Sequence, residues 1–533
     1  MEKIKKLFGK TWFLLILIVI IASFLRLYNI TTTPPGLYPD EAMNGNNAVE
    51  ALSTGQFKVF YPENNGREGL FMDIQALSIS VFGNTPWALR LVSAIFGILT
   101  VLGIYFLGKK LFNEKIGLLS SFFTAVSFWH IMFSRIGFRA IMSPFFLVWG
   151  IYFLLIAFDR AKDGTKPKFA LVSIAAGAIY GLGMYSYIAY RVTPIILVII
   201  FVYYLIKNKS TIKRLWLSAL YFTIATLIVF APLGYHFITH PQDFSGRTSE
   251  ISVFSSHTPA KDLASNIAKT ALMFNFQGDE NWRQNYAGRP ELFWPEGILF
   301  LIGVALGLYL IFRKKNVPPS QKTPITMANP TGDPALQNNQ NFPAENAIQS
   351  SNTGGKIKFG FIIIFSWLII SALPVVISDE GIPHALRSIL MIPAVFMLTG
   401  FGGIWLYEKL KSKFPKKIEL INALGIILLG FTLLEGYHTY FVGWAKNPNV
   451  LGAFNQDYVD IGNELNSLPK NMPKYVIVKA GGVDVRGIPM PAQTVMYITD
   501  TFTPEKQQER NMHYVLPNQI NQIPQNAYTT VIE

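Results

Sequence analysis

Long apolar stretches alternate with short polar segments along most of the chain. A helix that spans a bilayer needs about 20 apolar residues, and roughly eleven stretches approach that length. They lie at about 11–30, 87–108, 116–133, 142–158, 169–190, 192–206, 214–238, 296–312, 357–378, 388–407 and 418–440. After residue 440 the pattern changes to short β-like runs separated by Pro, Gly and Asn turns. There are four such runs, KYVIVKA, TVMYITD, MHYVLP and TTVIE. The pattern therefore predicts an all-α polytopic membrane protein with a small C-terminal α/β domain.

The composition agrees with a membrane protein. Of the 533 residues 51% are hydrophobic and only 15% are charged, which is too little charge for a soluble chain of this size. The chain has no cysteine, so disulfides, thiolate nucleophiles and thiolate metal sites are excluded. The first apolar run follows several lysines and lacks a small-residue cleavage site, so we expect a retained helix instead of a signal peptide.

The basic residues predict the orientation in the membrane. Lysine and arginine cluster in every second loop, as the positive-inside rule requires of cytoplasmic loops. The clusters lie at 3–10, 109–115, 160–168, 207–214, 313–315 and 409–417. We therefore expect a multi-pass plasma-membrane protein with a cytoplasmic N-terminus. The net charge of +14 needs no nucleic-acid partner.

This orientation predicts the domain organisation. Residues 1–440 form the transmembrane domain, with outer loops at 30–86 and 239–295, and residues 441–533 form the outer α/β domain. Residues 316–355 are rich in Pro, Asn, Gln and Ser, which is typical of a disordered linker, here on the cytoplasmic side.

The candidate catalytic residues are two adjacent carboxylates in the first outer loop. Asp40 and Glu41 lie in YPDEAMNGNNAVEA, at the predicted start of a helix. An acidic residue there is typical of a helix cap, because it satisfies free amide protons and complements the dipole. The alternative is a catalytic base that faces the membrane surface. Two short helices are expected on either side of Arg67 and Glu68, for which a solvated local ion pair is the simplest interpretation.

Other basic residues lie at outer ends of spans, where the positive-inside rule disfavours them. Each can snorkel to headgroups or pair with carboxylates such as Asp379 and Glu380. Because several converge on the face that carries Asp40, we also expect them to bind an anion. His384 alone, without a second ligand at a suitable spacing, does not support a metal site. The residues are Arg135, Arg139, Arg191, His384 and Arg387.

The second outer loop is predicted to contain a helix in TPAKDLASNIAKTALMFNF and then an ordered segment, FQGDENWRQNYAGRPELFWPEG. This segment could cover or line a cleft. Asp279 and Arg283 are acceptor or loop candidates together with Glu68, although Asp279 and Arg283 could simply stabilise the loop.

Carboxylates and arginines beside the bilayer, without a nucleotide motif, favour a substrate that carries its own activated group in the lipid. A polyprenyl-phosphate sugar meets this requirement. Guanidinium forks match phosphate oxygens. A carboxylate such as Asp40 can take the proton of an acceptor hydroxyl while an oxocarbenium-like centre develops on the sugar.

Several segments resemble glycosyltransferase family 39, which includes protein O-mannosyltransferases and the aminoarabinose transferase of lipid A. These segments are FLRLYNI, PDEA, ALSISVFG, WALRLVSAIFGILTVLGIYFLGKKLF, WHIMFSRIGFRAIMSP, FNFQGDENWRQNYAGRP and PHALRSILMIPAVFML. The resemblance implies a GT-C fold and inverting transfer from a polyprenyl monophosphate sugar. It implies Asp40 as the base, Glu41 as its neighbour and Arg67 as a ligand of the donor phosphate.

One departure limits what the resemblance implies. The Glu-Lys-Pro-Pro run of the lipid A enzymes reads Gly66-Arg67-Glu68-Gly69 here. This difference argues against a metal site of that kind and against lipid A as acceptor. The sequence thus gives no support for a divalent metal, and the acceptor is left open among protein, lipid and cell-envelope glycan.

Other functions fit parts of the pattern. A transporter or flippase of lipid-linked glycans would use ionisable groups inside the spans and often repeated halves, and neither is evident. A receptor with an outer sensor domain would leave the arginines without a purpose. Transfer of a whole oligosaccharide is an enzymatic variant that no feature of the sequence excludes.

Overall fold

The computed structural model describes residues 10–164, 168–244, 253–255, 258–313, 351–379 and 381–533. Residues 316–350 of the predicted linker lie outside this part of the chain, and residues 351–355 begin a helix.

The elements follow the predicted order. Those before residue 440 are α1 (Lys10–Leu27), α2 (Pro39–Thr54), β1 (Phe60–Tyr61), β2 (Arg67–Glu68), α3 (Leu70–Phe82), α4 (Pro86–Leu111), α5 (Glu114–Val126), α6 (Phe128–Ser134), α7 (Met142–Asp163), α8 (Lys168–Gly183), α9 (Pro194–Lys207), α10 (Ile212–Thr239), α11 (Pro259–Leu272), α12 (Trp294–Phe312), α13 (Ser351–Val376), α14 (Ile392–Lys413) and α15 (Ile418–Tyr437). The C-terminal region contains α16 (Pro448–Ala453), α17 (Gln456–Ser467), β3 (Lys474–Val478), β4 (Asp484–Val485), β5 (Ile488–Pro489), α18 (Gln493–Thr499), α19 (Pro504–Glu509), β6 (Met512–Val515) and β7 (Tyr528–Ile532).

The apolar stretches all form helices, which confirms the all-α membrane part. Within the described residues, 8 helices are long and apolar enough to span a bilayer, or up to 9 if the pair α5 and α6, bent by 63°, counts as one span. The helices α1 and α8 are apolar but shorter. The predicted number of spans, about eleven, is therefore not confirmed by length and composition.

A buried arginine stabilises the break between α5 and α6. The guanidinium of Arg26 donates to the carbonyl oxygens of Thr124 (3.2 Å) and Ala125 (2.9 Å). These carbonyls lie in the last turn of α5, where the helix has no further backbone amides to donate to them. Arg26 also contacts Nδ1 of His130 at 2.6 Å and Oγ of Ser134 at 3.2 Å. Because every unsatisfied donor in an apolar environment is costly, this network holds α1 against the bend.

The first loop contains the two predicted helices with a hairpin between them. Pro39 begins α2, and Gly55 ends it with a φ of 69°. The strands β1 and β2 pair antiparallel, with Phe60 opposite Glu68 and Tyr61 opposite Arg67. The tight turn that joins them, residues 62–66, is the Asn-Gly-rich patch of the sequence.

The C-terminal region contains a parallel sheet with the strand order β6-β3-β7. Three of the four predicted β-like runs form its strands, and the predicted sheet-containing region is confirmed. The prediction of a strand for TVMYITD is wrong, because all of this segment except its last residue lies in helix α18. A short apolar run does not distinguish a strand from a buried helix, and here Val495, Met496 and Tyr497 are buried by tertiary packing.

Helix α18 packs directly on α2, the helix that carries Asp40. The side chain of Asn46 donates to the carbonyl of Gln493 at 3.1 Å, and Thr494 donates to the carbonyl of Leu37 at 2.9 Å. A Cβ atom on Gly45 would lie 2.3 Å from the ring of Tyr497. The close approach of these two helices therefore depends on a glycine.

Several polar contacts join segments that the charge pattern assigns to the same side of the membrane. On one side, Lys110 pairs with Asp159 and Lys115 pairs with Glu408, which joins predicted cytoplasmic segments. On the other side, the amide of Gly36 donates to Gln456 at 2.6 Å. Which side faces the cytoplasm stays a prediction.

Replacing Gly45 with alanine should destabilise the protein. Gly to Ala in a helix is normally favourable by about 0.5–1 kcal/mol, but overpacking against Tyr497 should cost about 1–3 kcal/mol. We expect a lower unfolding temperature in detergent and faster proteolytic release of the C-terminal region. The control is Gly452→Ala in α16, where no atom lies within 4 Å of the added Cβ. Equal stability of the two variants would contradict the tight packing of α2 on α18.

Candidate active site

A polar cleft opens beside the start of α2, with an empty volume of about 520 Å³ including its open mouth. It combines residues from α2, the 62–66 turn, β2 and the segment that follows α6. The lining residues are Asp40, Asn44, Asn64, Arg67, Phe138, Arg139, Ala140, Tyr187 and Leu386. Three of the residues singled out in the sequence, Asp40, Arg67 and Arg139, thus meet in one cleft.

Asp40 is half-buried in the first turn of α2. Its Oδ1 accepts a hydrogen bond from Nδ2 of Asn64 at 2.6 Å. The N-cap position belongs to Tyr38, whose side chain makes no capping bond. The Asp40 carboxylate therefore faces the cleft, and its hydrogen bond goes to the 62–66 turn and not to the helix end.

Glu41, the other predicted catalytic candidate, does not line the cleft. It is fully buried and forms a bidentate ion pair with Arg90, with distances of 3.0 Å to Nε and 3.1 Å to Nη2. It also accepts the backbone amide of Gly137 at 2.6 Å. Arg90 donates further to the carbonyls of Pro34 and Gly36. Both oxygens of Glu41 therefore have partners. Through these contacts Glu41 joins α2 to α4 and to the 137–140 segment.

Arg67 is buried under the cleft with its guanidinium plane held by two amides. Its Nη1 donates to Oδ1 of Asn44 and its Nη2 to Oδ1 of Asn47, both at 2.6 Å. Both asparagines lie on α2, so the hairpin and the helix fix this guanidinium together. Such a rigid planar group suits recognition of phosphate or carboxylate oxygens.

Glu68 pairs with two arginines from distant parts of the chain. Its carboxylate lies 3.0 Å from Nε of Arg139 and 3.3 Å from Nη2 of Arg191. Burial raises the pKa of Glu68, but the charges of these two arginines outweigh burial, so the pKa lies below its ordinary value. The interpretation of Arg67 and Glu68 as a solvated local pair is wrong, because both side chains are buried and Glu68 pairs elsewhere.

Arg135 does not line the cleft. It is fully buried and donates to the carbonyls of Leu25, Tyr28 and Thr33 at 2.8–3.1 Å. Its guanidinium also lies over the ring of Tyr440, 5.2 Å from the centroid. The prediction that Arg135 binds donor phosphate therefore conflicts with the geometry, because its donors satisfy carbonyls in the last turn of α1 and just after it.

The second outer loop lines another cavity, with an empty volume of about 1170 Å³. Asp279 accepts the amides of Asn281 (2.7 Å) and Ala385 (2.8 Å), and it lies 3.8 Å from Nδ1 of His384. Burial raises the pKa of Asp279 to about 6. The loop therefore lines a cavity, as its composition suggested. Asp279 also anchors it to the 381–387 segment.

His384 and Arg387 do not line the first cleft, although Leu386 between them does. Arg387 donates to Oγ of Ser378, and Glu380, one of the two carboxylates suggested as partners, lies outside the described residues. Arg283 stacks on Tyr38, with its guanidinium 3.9 Å from the ring centroid. Arg283 is therefore close to the start of α2 but not among the residues that line the cleft.

The sequence interpretation missed Asn44, Asn64, Arg90 and Tyr187. Asn44 follows Asp40 by four residues and therefore lies on the same helix face, which was a usable signal. The contact of Asn64 with Asp40 depends on the hairpin, and Arg90 looked like an ordinary residue at the start of a span. Among the described residues, no three His, Asp or Glu side chains lie close enough to share a metal ion.

Comparisons with known proteins agree with the membrane fold. Residues 70–236 match the family model described as dolichyl-phosphate-mannose-protein mannosyltransferase. YkcB of Bacillus subtilis (strain 168), named for a proposed mannosyltransferase activity, is 26% identical over 211 residues, which cover 38% of this chain and 27% of YkcB. The oligosaccharyltransferase of Archaeoglobus fulgidus, solved in complex with Zn and sulfate, has a TM-score of 0.53 at 13% identity and covers 95% of this chain.

A third similar protein is ArnT from Cupriavidus metallidurans, which was solved with undecaprenyl phosphate. Its TM-score is 0.48 at 14% identity, and the match covers 97% of this chain and 88% of ArnT. The chain covers 62% of the archaeal enzyme and matches 27% of YkcB, so it spans less than two thirds of either. At such low identity the archaeal structure shows a shared fold. The predicted resemblance to the GT-C superfamily is confirmed.

Replacing Glu41 with glutamine should destabilise the protein strongly. Removing one partner of a buried ion pair typically costs about 3–5 kcal/mol, because the other charge is left uncompensated. The measurement is thermal unfolding of the purified protein in detergent. Glu114→Gln is the control, since its pair with Lys109 is largely exposed and should contribute little. A Glu41→Gln variant as stable as this control would remove the structural role assigned to Glu41.

Proposed function

We propose that this chain, a membrane protein with the GT-C fold, is an inverting glycosyltransferase that uses a polyprenyl-phosphate sugar and a hydroxyl acceptor. In the predicted orientation the reaction takes place on the extracytoplasmic face. The observation that carries the proposal is the cleft that Asp40 lines together with Arg67 and Arg139.

The arginines suit the phosphate of the donor. Glu68 holds Arg139 through Nε, which leaves its two Nη groups for a bidentate contact with phosphate oxygens. Arg191 contacts the same carboxylate but does not line the cleft. In and next to the cleft there are thus three arginines, Arg67, Arg139 and Arg191, and two carboxylates, Asp40 and Glu68. The cluster keeps a positive charge, and this charge would stabilise the leaving phosphate.

Asp40 is the proposed general base. In the reaction, the acceptor oxygen forms a bond to C1 of the sugar while the bond from C1 to the phosphate oxygen breaks. The polyprenyl phosphate leaves with the electron pair, and Asp40 takes the proton of the acceptor hydroxyl. Asn64 occupies Oδ1 of Asp40, which leaves Oδ2 for that hydroxyl. A phosphate leaves readily, so the cleft needs no strong general acid.

Replacing Asp40 with asparagine should lower transfer by roughly 10²–10⁴-fold, because the amide keeps the shape but cannot accept the proton. The measurement uses proteoliposomes, a panel of radiolabelled polyprenyl-phosphate sugars and a total membrane extract as acceptor. Asp457→Asn, an exposed carboxylate in the first turn of α17, is the matched control.

Full activity of the Asp40→Asn variant would overturn the assignment of the base. If label instead crossed the bilayer still attached to its lipid, equally in both variants, a transporter of lipid-linked glycans would replace the enzyme.

Replacing Arg67 or Arg139 with glutamine should weaken binding of the donor phosphate about 10- to 100-fold, since a hydrogen bond to a charged group contributes about 1.5–3 kcal/mol. Equilibrium binding of polyprenyl phosphate to protein in detergent measures this loss. The control is Arg313→Gln, an exposed residue just after α12. Unchanged affinity in both cleft variants would leave the phosphate site without support.

A further inference from the structure

The C-terminal region reaches the first loop through a second contact, the hairpin of β4 and β5. Arg486 and Gly487 form its two-residue turn, with φ values of 56° and 88°. Asparagine or glycine usually occupies the first position of such a turn, because a side chain is strained there. An arginine in this conformation therefore indicates that its contacts outweigh the strain.

Arg486 contacts two carboxylates of the first loop. Its Nη1 and Nη2 donate to the two oxygens of Glu50 at 2.8 and 2.9 Å, and Nη2 also donates to Glu63 at 2.9 Å. The guanidinium lies over the ring of Phe502, 4.4 Å from the centroid. One side chain thus links the C-terminal region to helix α2 and to the 62–66 turn.

The 62–66 turn holds the side chain that contacts Asp40. Asn64, Asn65 and Gly66 all have positive φ values, of 51°, 61° and 78°. The turn closes through the amide of Gly66, which donates to the carbonyl of Pro62 at 3.1 Å. Glu63, held by Arg486, precedes Asn64 directly. The position of the turn therefore decides whether the amide of Asn64 reaches Oδ1 of Asp40.

We propose that Arg486 is a positioning residue, through which the C-terminal region holds the 62–66 turn and with it Asn64 against Asp40. The consequence for catalysis rests on the proposed function. Arg67 lies outside the turn and is held by Asn44 and Asn47 of α2, so donor binding does not depend on Arg486. Loss of Arg486 should therefore lower kcat and leave the donor KM nearly unchanged.

The test combines a conformational and a catalytic measurement. The chain has no cysteine, so Pro62→Cys places one spin label on an exposed residue of the turn. Label mobility is compared in four backgrounds: unchanged, Arg486→Met, Glu63→Gln and Lys479→Met. Glu63→Gln removes the negative charge from the same contact on the side of the membrane part, in case Arg486→Met fails to fold. Lys479 is the control, because it makes an exposed ion pair with Glu533 within the C-terminal region.

We expect the label to become more mobile in Arg486→Met and Glu63→Gln and to stay unchanged in Lys479→Met. The kcat of transfer, measured without the label, should fall roughly 10- to 100-fold in the first two, as for a misplaced catalytic group. The proposal would be overturned if label mobility in both variants equalled that in the unchanged background. It would also be overturned if the label became more mobile while kcat stayed unchanged. If the wild type transfers no sugar, the proposed function fails, and label mobility alone decides whether Arg486 holds the turn.

Discussion

The buried ion pair between Glu41 and Arg90 is the interaction on which the arrangement of the cleft depends. Arg90 belongs to a long membrane helix and holds the chain before α2 through two carbonyl oxygens. Glu41 accepts the amide of Gly137 and so fixes the segment that ends in Arg139. Asp40 and Arg139 are distant in the sequence. They lie in one cleft because Glu41, next to Asp40, binds the amide of Gly137, two residues before Arg139.

The charges near the bilayer fall into two groups with different partners. Arg26 and Arg135 are buried and donate mainly to backbone carbonyls, at a helix break and around a helix end. Arg67 and Arg139 are held by side chains and line an open cleft. A buried arginine is tolerated when carbonyl oxygens satisfy its donors, so burial by itself did not mark a ligand site. Arg67 and Arg139 differ from the other two arginines because they line the same cleft as the carboxylate of Asp40.

The C-terminal region is part of the surroundings of the cleft and not a separate appendage. It contacts α2 through Gln493 and Tyr497, on the helix that carries Asp40, and through Arg486. A sheet of three short parallel strands buries little area alone, so packing on the first loop adds to its stability. The same packing makes the geometry of the first loop depend on residues near the end of the chain.

The sequence by itself determined the membrane architecture, the helices on either side of Arg67 and Glu68, and Asp40 as the candidate base. Apolar length, charge periodicity and local capping patterns are properties of contiguous segments, and these can be read along the chain. Only the tertiary structure showed that Glu41 and Arg135 lie outside the cleft with other partners, and that most of TVMYITD is helical. An ionisable side chain gets its role from the partners that reach it, and here those partners come from distant segments.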